Sequence, residues 1–510
     1  MRILKGWRLV ARFCAAIFAV LLFNLPARSD LTGPANWQRI ITNPHYDYGP
    51  SVMYDQGVYK FWWCGNSEVT GRSTDAILYK TYNVATASWS NITPVLVPSG
   101  VASMFDRDSV CDPSVVKGTF NISGNSYTYA MYYTGAWIED PGTPNDSNDD
   151  YYHNAVGAAF SNDGVAWNRY PTPVVPEKTD TLTSCTNRVR LPYGLGQPSV
   201  YNNNGTSGIY LFHTEEFRKA TSGTDCEVIV SRVGVRQSTD GVTFGNRILV
   251  SSAGIDPALN TPAPHFFSNA DFGYDPATDK FYTVVPTLGR AGDRDTYGFG
   301  FYRLSRANVL AGTGTWETLG YADTNLDGYY LNSSPGLTRD ARGALSTLPA
   351  LTAYFGGGNP TLEPTGADDL DLTYVQWNPS PKTMPLKRYW NGSDHLSTIG
   401  KTPTGYNLDG PVQGYLLMAP VTNTTPLWAC KAGSDYFTSP ARNCGLASDP
   451  TRLIGLNGFI YINPPTNVST VPLYSCFTST TFEYFTSTSN TCEGQSIQGI
   501  LGHISTASIP

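Results

Sequence analysis

A short phrase recurs along this 510-residue chain: Gly49-Pro50-Ser51-Val52, Asp112-Pro113-Ser114-Val115 and Gln197-Pro198-Ser199-Val200. Two weaker copies follow, around Asn269-Ala270-Asp271-Phe272 and Ser333-Ser334-Pro335-Gly336-Leu337. The copies start about 60 to 85 residues apart, the size of one four-stranded propeller blade with its loops. Each of the first three opens a strand, a tight turn and a second strand. Pro50 to Tyr54, Asp55-Gln56-Gly57 and Val58 to Trp63 show the pattern most plainly. No long amphipathic helix competes with it. The expectation is an all-β chain, with five copies forming a five-bladed β-propeller around one central pocket.

Residues 1–29 read as an export signal. Arg2, Lys5, Arg8 and Arg12 precede an apolar run from Ala15 to Leu25 that is short for a membrane span, and Pro26-Ala27-Arg28-Ser29 offers small residues for cleavage. The mature protein is therefore expected to be secreted, either extracellular or periplasmic, and to have no membrane partner. Losing the five basic residues of the signal takes the formal charge of −7 further negative. An acidic chain without basic runs is a poor nucleic-acid binder. Eight cysteines remain after Cys14 leaves with the signal, and none has zinc-type spacing. Cys430–Cys444 and Cys476–Cys492 occupy matching places in two repeats and are expected to pair. Cys64–Cys111 and Cys185–Cys226 follow by elimination. A monomer with no cofactor is expected. The acidic loop Asn145–Asp150 could hold a structural Ca²⁺, but it lacks EF-hand spacing, and a solvated loop is the plainer reading.

The propeller grammar runs over residues 30–380 and ends at a Pro-rich joint, Pro379 to Pro385. Residues 385–510 carry a different repeat. Pro385-Leu386-Lys387-Arg388-Tyr389 is echoed by Pro426-Leu427-Trp428-Ala429-Cys430 and by Pro472-Leu473-Tyr474-Ser475-Cys476. Each copy closes on a glycine-apolar strand, at Gly414, Gly458 and Gly499. Three repeats of about 40 residues predict a smaller threefold-repeat, β-trefoil-like domain. Trp390, Trp428 and Tyr474 are its candidates for gripping a polymer.

In a propeller the innermost strand of each blade starts at the pocket, and the second strand ends there. Strand starts then supply Asp47, Asp108, Asp112, Gln197 and Asp271; second-strand ends supply Trp62, Trp63, Glu68, Trp137, His213, Glu215 and Glu216. Carboxylates do acid and base work on glycosidic bonds, and aromatic rings stack on sugar faces. Trp62 and Trp63 alternate along a strand, so one is expected in the core and the other free to stack. Asp163-Gly164 and Asp240-Gly241 are turn residues.

The Asp-Pro strand starts, the five-blade spacing and Phe160-Ser161-Asn162-Asp163-Gly164-Val165-Ala166-Trp167 resemble the five-bladed glycoside hydrolases of families 43, 62, 32 and 68. That resemblance covers residues 34–380. It implies a first-blade carboxylate as base or nucleophile, a second carboxylate that orients it, and a glutamic acid from a later blade as proton donor. By position these are Asp47, Asp112 (with Asp108 as rival) and Glu215. Trp63, Trp137, Gln197, His213, Glu216, Asp108 and Asp271 are left to bind substrate. No metal site is expected. Two departures stand out: Asp47 lies three residues before Pro50, and Gln197 occupies the place where a family 43 enzyme carries its acid. The resemblance therefore implies a hydrolase acting on a polysaccharide, arabinan or fructan among the candidates. The second reading is a lectin-like protein that binds glycans without cutting them.

Overall fold

The computed structural model describes residues 39–41, 46–66, 74–139, 151–177, 194–219, 228–255, 267, 269–286, 298–323, 332–345, 351–357, 371–377, 382–400, 404–442, 444–445 and 453–509. Residues 1–29, read above as an export signal, and Glu68, the acidic loop 145–150, Cys185 and Cys226 lie outside them. No helix among the described residues is long and apolar enough to cross a membrane.

Each copy of the phrase begins an antiparallel meander. The first meander holds Asp47–Asp55, Val58–Asn66 and Asp75–Asn83, with two short outer strands. The second holds Ser109–Ile122, Asn125–Glu139, Tyr151–Ser161 and Asn168–Arg169; the third holds Leu195–Asn202, Ile209–Lys219, Val228–Ser238 and Ile248–Leu249. Asp271–Asp275, Lys280–Pro286, Phe299–Ser305 and Glu317–Ala322 make the fourth. Asn332–Arg339, Leu351–Gly357 and Asp371–Trp377 make the last, and the chain's first described strand, Arg39–Ile41, joins it at the outer edge. The tight turn in the first meander has Gln56 and Gly57 both at positive φ, as a two-residue hairpin turn of the primed type requires.

The sheet count corrects the expectation of five separate blades, because this region forms four sheets. Three are four-stranded, and the other is nine-stranded because the first and last meanders share it. They join through a parallel pairing of innermost strands, Thr338 with Val52 and Arg339 with Met53. The physical reason lies at Gly336. A Cβ there would sit 1.8 Å from the Pro50 carbonyl oxygen, so only glycine lets these two strands close on each other.

Elsewhere the seams are closed by side chains at the third position of the phrase. Ser51 Oγ accepts from the Val115 amide (3.0 Å), Ser114 Oγ from the Val200 amide (3.0 Å) and Ser199 Oγ from the Phe272 amide (2.8 Å). Asp271 continues the series by accepting from the Leu337 amide (2.7 Å). Arg339, 2 % exposed, completes the arrangement from the last meander. Its guanidinium donates to Ser199 (3.2 Å), Ser114 (3.2 Å) and Ser51 (3.4 Å) and faces Asp271 at 3.2 Å. A second set of ties lies farther out, where Trp62 Nε1 donates to Gly164 O (2.9 Å) and Tyr132 Oη to Gly241 O (2.7 Å). Apolar packing between the meanders supplies the bulk of the core. Phe212 stacks on Phe272 with centroids 4.0 Å apart, and Met53, Trp62, Val110 and Met131 share one buried cluster. Full burial of one such side chain stabilises by about 1.5–3 kcal/mol.

The ten strands from Thr383 to Ser505 form a separate sheet. Its three sequence copies carry matching registers: Leu386 opposite Gly414, Leu427 opposite Gly458, and Leu473 opposite Gly502. The third glycine is thus Gly502, three residues beyond the expected Gly499. All three glycines have positive φ, and a Cβ on each would meet a carbonyl oxygen 2.7 to 2.8 Å away in a neighbouring strand. An acid at each hairpin tip accepts from the next copy: Asp394 from the Tyr436 amide (3.1 Å), Asp435 from the Tyr484 amide (3.1 Å) and Glu483 from the His395 amide (2.8 Å). Trp428 is 2 % exposed in a core shared with the fourth meander, so it cannot grip a polymer. Tyr474 packs against the disulfide Cys476–Cys492, and Trp390 lies against His395. Disulfides Cys430–Cys444, Cys476–Cys492 and Cys64–Cys111 have formed as expected.

Replacing Arg339 with Met would leave Asp271 buried without its cation. Urea unfolding is expected to show a loss of about 3–5 kcal/mol. Asp435 supplies a second test. Burial, followed by the nearby Asp394 and Glu483 charges, pushes its carboxyl up to about 7 from an ordinary 3.8. A raised folded value means this contribution to stability is complete below about pH 4 and is lost as pH rises through 7. Thermal melts of the C-terminal domain should therefore fall in midpoint across that window, and Asp435→Asn should flatten the trend.

Candidate functional site

The five copies converge on one open pocket. Its wall is built from the same place in each copy: Gly49-Pro50, Asp112-Pro113, Gln197-Pro198, Asn269-Ala270 and Ser334-Pro335, with Asp271 between the fourth and fifth. All five leading residues hold the left-handed conformation, Gly49 at φ 59°, Asp112 at 46°, Gln197 at 49°, Asn269 at 53° and Ser334 at 48°. In four of the five the strand register slips there, which is the mark of a bulge. A non-glycine residue at positive φ costs about 1 kcal/mol or more. Four such residues ring the pocket, and the seam bonds below them hold the backbone in place.

The rim side chains are tied in sequence. The Gln197 amide donates to Thr134 Oγ1 (2.8 Å), and Thr134 Oγ1 donates to Asp112 Oδ2 (3.0 Å). Gln197 Oε1 accepts from the Asn269 amide (2.7 Å), which also reaches Thr214 Oγ1 (3.1 Å). Asn269 Nδ2 donates to Ser334 Oγ (2.9 Å). Thr134 and Thr214 occupy equivalent places on the second strands of their meanders, opposite Cys111 and Gly196. The same place in the first meander is Cys64, opposite Tyr48. Its disulfide to Cys111 makes covalently the tie that the threonines make by hydrogen bond.

Beside Asp112, Tyr48 Oη donates to Asp75 Oδ2 at 3.3 Å. Tyr46 and Ser109 donate to the same carboxylate. Burial, then the Asp75 and Asp112 charges, hold the Tyr48 hydroxyl well above its ordinary value, so it remains a donor. Asp75, Cys64 and Cys111 lie close together, but the two sulfurs are bonded to each other and cannot ligate a metal.

Of the residues expected from sequence, Asp112, Gln197 and Asp271 line the pocket. Asp47 is fully buried behind it and accepts from Trp63 Nε1 at 2.6 Å. Trp62 and Trp63 are both at 0 % exposure, so neither is free to stack. Trp63 therefore does not reach the pocket. Asp108 accepts from the Ile138 amide (2.8 Å) and pairs with Arg107. Trp137 lies flat on His153, 4.8 Å between centroids, and His153 Nδ1 faces Glu177 at 2.9 Å. Glu215 is 4 % exposed and gripped by Arg232 (3.0 Å) and Arg247 through one oxygen, Oε2. Glu216 stands opposite Ser231 in register, and its side chain lies outside the described residues.

Gly49, Asn269 and Ser334 were missed as pocket residues. The signal for them was present: each precedes the second position of its copy, where Asp112 and Gln197 stand. His213 is fully buried, and its Nε2 accepts from Arg236 Nε at 3.3 Å. Burial is the largest cause that depresses its pKa to about 4, with Arg236 and Arg247 adding to the effect. A depressed value means that stability present above the ordinary 6.5 is lost as pH falls towards 4. Imidazole proton shifts followed by NMR are expected to show His213 neutral from pH 8 to 5.

No family model and no curated protein matches the chain. Among solved structures it is similar to an α-L-arabinofuranosidase from Podospora anserina, at 11 % identity and a TM-score of 0.40, over 68 % of this chain and 94 % of that one. The catalytic domain of a family 62 α-L-arabinofuranosidase from Coprinopsis cinerea gives 13 % identity and 0.41, over 68 % and 94 %. A thermostable family 43 glycoside hydrolase gives 11 % and 0.39, over 78 % and 98 %.

Proposed function

We propose that this chain is an exported glycoside hydrolase whose axial pocket receives one sugar residue of a polysaccharide, a furanose polymer such as arabinan or fructan. The first and last meanders count as two blades in this reading, which makes a five-bladed ring. The C-terminal domain is a β-trefoil-like module that keeps the enzyme on its polymer. Phe482, 75 % exposed, and Tyr484, 38 % exposed, replace the buried Trp428 as its contact residues.

The observation that carries the reading is Asp112: a carboxylate at the wall of a pocket lined also by Gln197, Asn269, Ser334 and four prolines, whose other acid, Asp271, is engaged by Ser199, the Leu337 amide and Arg339. Such a set suits a neutral polyhydroxylated ligand, with hydrogen bonds fixing its orientation. Asp112 takes the base or nucleophile role in place of Asp47, which Trp63 covers. A proton donor must hold its proton near neutral pH. Glu215 is turned to Arg232 and Arg247 and is not among the residues lining the pocket, and Gln197 has no acidic proton. The donor is therefore assigned to none of these. Gln197 also favours the second reading, in which the pocket binds a glycan without cutting it, because its side-chain oxygen is committed to the Asn269 amide.

Incubating residues 30–510 with arabinan, arabinoxylan, levan and inulin, followed by mass spectrometry, separates the two readings. The hydrolase reading expects new oligosaccharides from the wild type and at least 100-fold less product from Asp112→Asn, on the order expected for loss of a reacting group. Polymer retention should be unchanged in that variant. Retention with no product from the wild type on any polymer would establish the binding reading instead.

A further inference from the structure

We propose that Thr134 is a positioning residue that fixes the charge state of Asp112, an inference that rests on the reading that Asp112 acts in the pocket. The argument is one of hydrogen-bond direction. A backbone amide can only donate, so the Gln197 N–H at 2.8 Å fills an acceptor site on Thr134 Oγ1. The hydroxyl proton is then free to go to Asp112 Oδ2, 3.0 Å away. That oxygen receives a hydrogen bond and has no need of a proton of its own. Thr134 is 3 % exposed, so water does not compete for the arrangement.

The other meanders show what is particular to this one. Thr214 accepts the Asn269 amide in the same way, and Cys64 makes the equivalent tie as a disulfide. A plain seam bond would serve the fold equally well in all three places. At Thr134 the seam bond also orients a proton toward the carboxylate of the pocket. The third meander's amide thereby holds the second meander's acid in its charged form.

Among the described residues, the titratable group facing Asp112 from the first meander is Tyr48, with Asp75 behind it. Tyr48 keeps its proton and directs it to Asp75, so its O–H does not supply Asp112. From the third meander Asp112 faces Gln197, which is neutral. Thr134 adds a hydrogen bond to the charged form of the carboxylate.

The test is a carboxyl titration by NMR on protein labelled with ¹³C-aspartate, the Asp112 signal being assigned by its loss in Asp112→Asn. Thr134→Val is expected to raise the Asp112 pKa by about one unit, as removal of a donor to the charged form should. Thr134→Ser restores the hydroxyl and should titrate like the wild type. Thr214→Val removes the matching seam bond one meander on and should leave Asp112 unmoved, which separates positioning from loosening of the ring. If Val crowds the site and the protein fails to fold, Thr134→Ala removes the hydroxyl without added bulk and should give the same rise. A folded Thr134→Val or Thr134→Ala protein with wild-type Asp112 titration would overturn the proposal. The titration needs no substrate, so its outcome stands apart from product analysis. A shift without any hydrolysis would keep Thr134 in this role and remove only the hydrolytic reading.

Discussion

Everything in the propeller region hangs on what happens at the third residue of the recurring phrase. Three serines and one aspartate each accept the amide of the next meander, and Arg339 gathers all four from the axis. A single such bond contributes about 1 kcal/mol net. The set matters more than its sum because it is closed on itself. A guanidinium with five fixed donors suits this place better than an ammonium would, since it can address several acceptors spread around an axis at once. The fifth seam cannot follow the same rule, because Pro50 leaves no room for a side chain at Gly336. Direct strand pairing takes over there.

The strain at the pocket wall depends on that closure. Asp112, Gln197, Asn269 and Ser334 hold a backbone conformation that a short peptide would leave. The first three are followed two residues later by a side chain that makes a seam bond, and Ser334 by Gly336, where the strands pair directly, so the ring holds the turn and the turn aims the side chain. The pocket is in this sense a product of the seams. The C-terminal domain obeys a similar logic with different parts: three leucines pair with three glycines inside each copy, the glycines lie against the preceding copy, and three tip acids accept from the next.

Much of this was legible in the sequence, because it repeats. The phrase copies place five strand starts at one pocket, and the C-terminal copies give their own registers with one three-residue slip at Gly499. What stayed hidden depends on contacts between residues far apart in the chain. Trp63 reads as a stacking ring until Asp47, sixteen positions away, is found holding its indole nitrogen. Trp428 looks exposed until the fourth meander covers it. Glu215 has the right residue type for a proton donor, and only Arg232 and Arg247, from a later strand and loop, show that its carboxyl oxygen is already engaged. The four-sheet count turns on a missing Cβ at Gly336, which no pattern of polar and apolar residues records.

The outermost strand of the last meander is Arg39–Ile41, the earliest described segment of the chain, and the axial arginine sits on that same last meander. The ring is therefore fastened by its two extremes. A ribosome delivering this chain in order would release four meanders before their shared hub exists, and each would have to wait with one open flank. The latch strand is made first but has no partner until Asp371–Trp377 follows Arg339 out, so the passage from loose meanders to a finished ring is a late event.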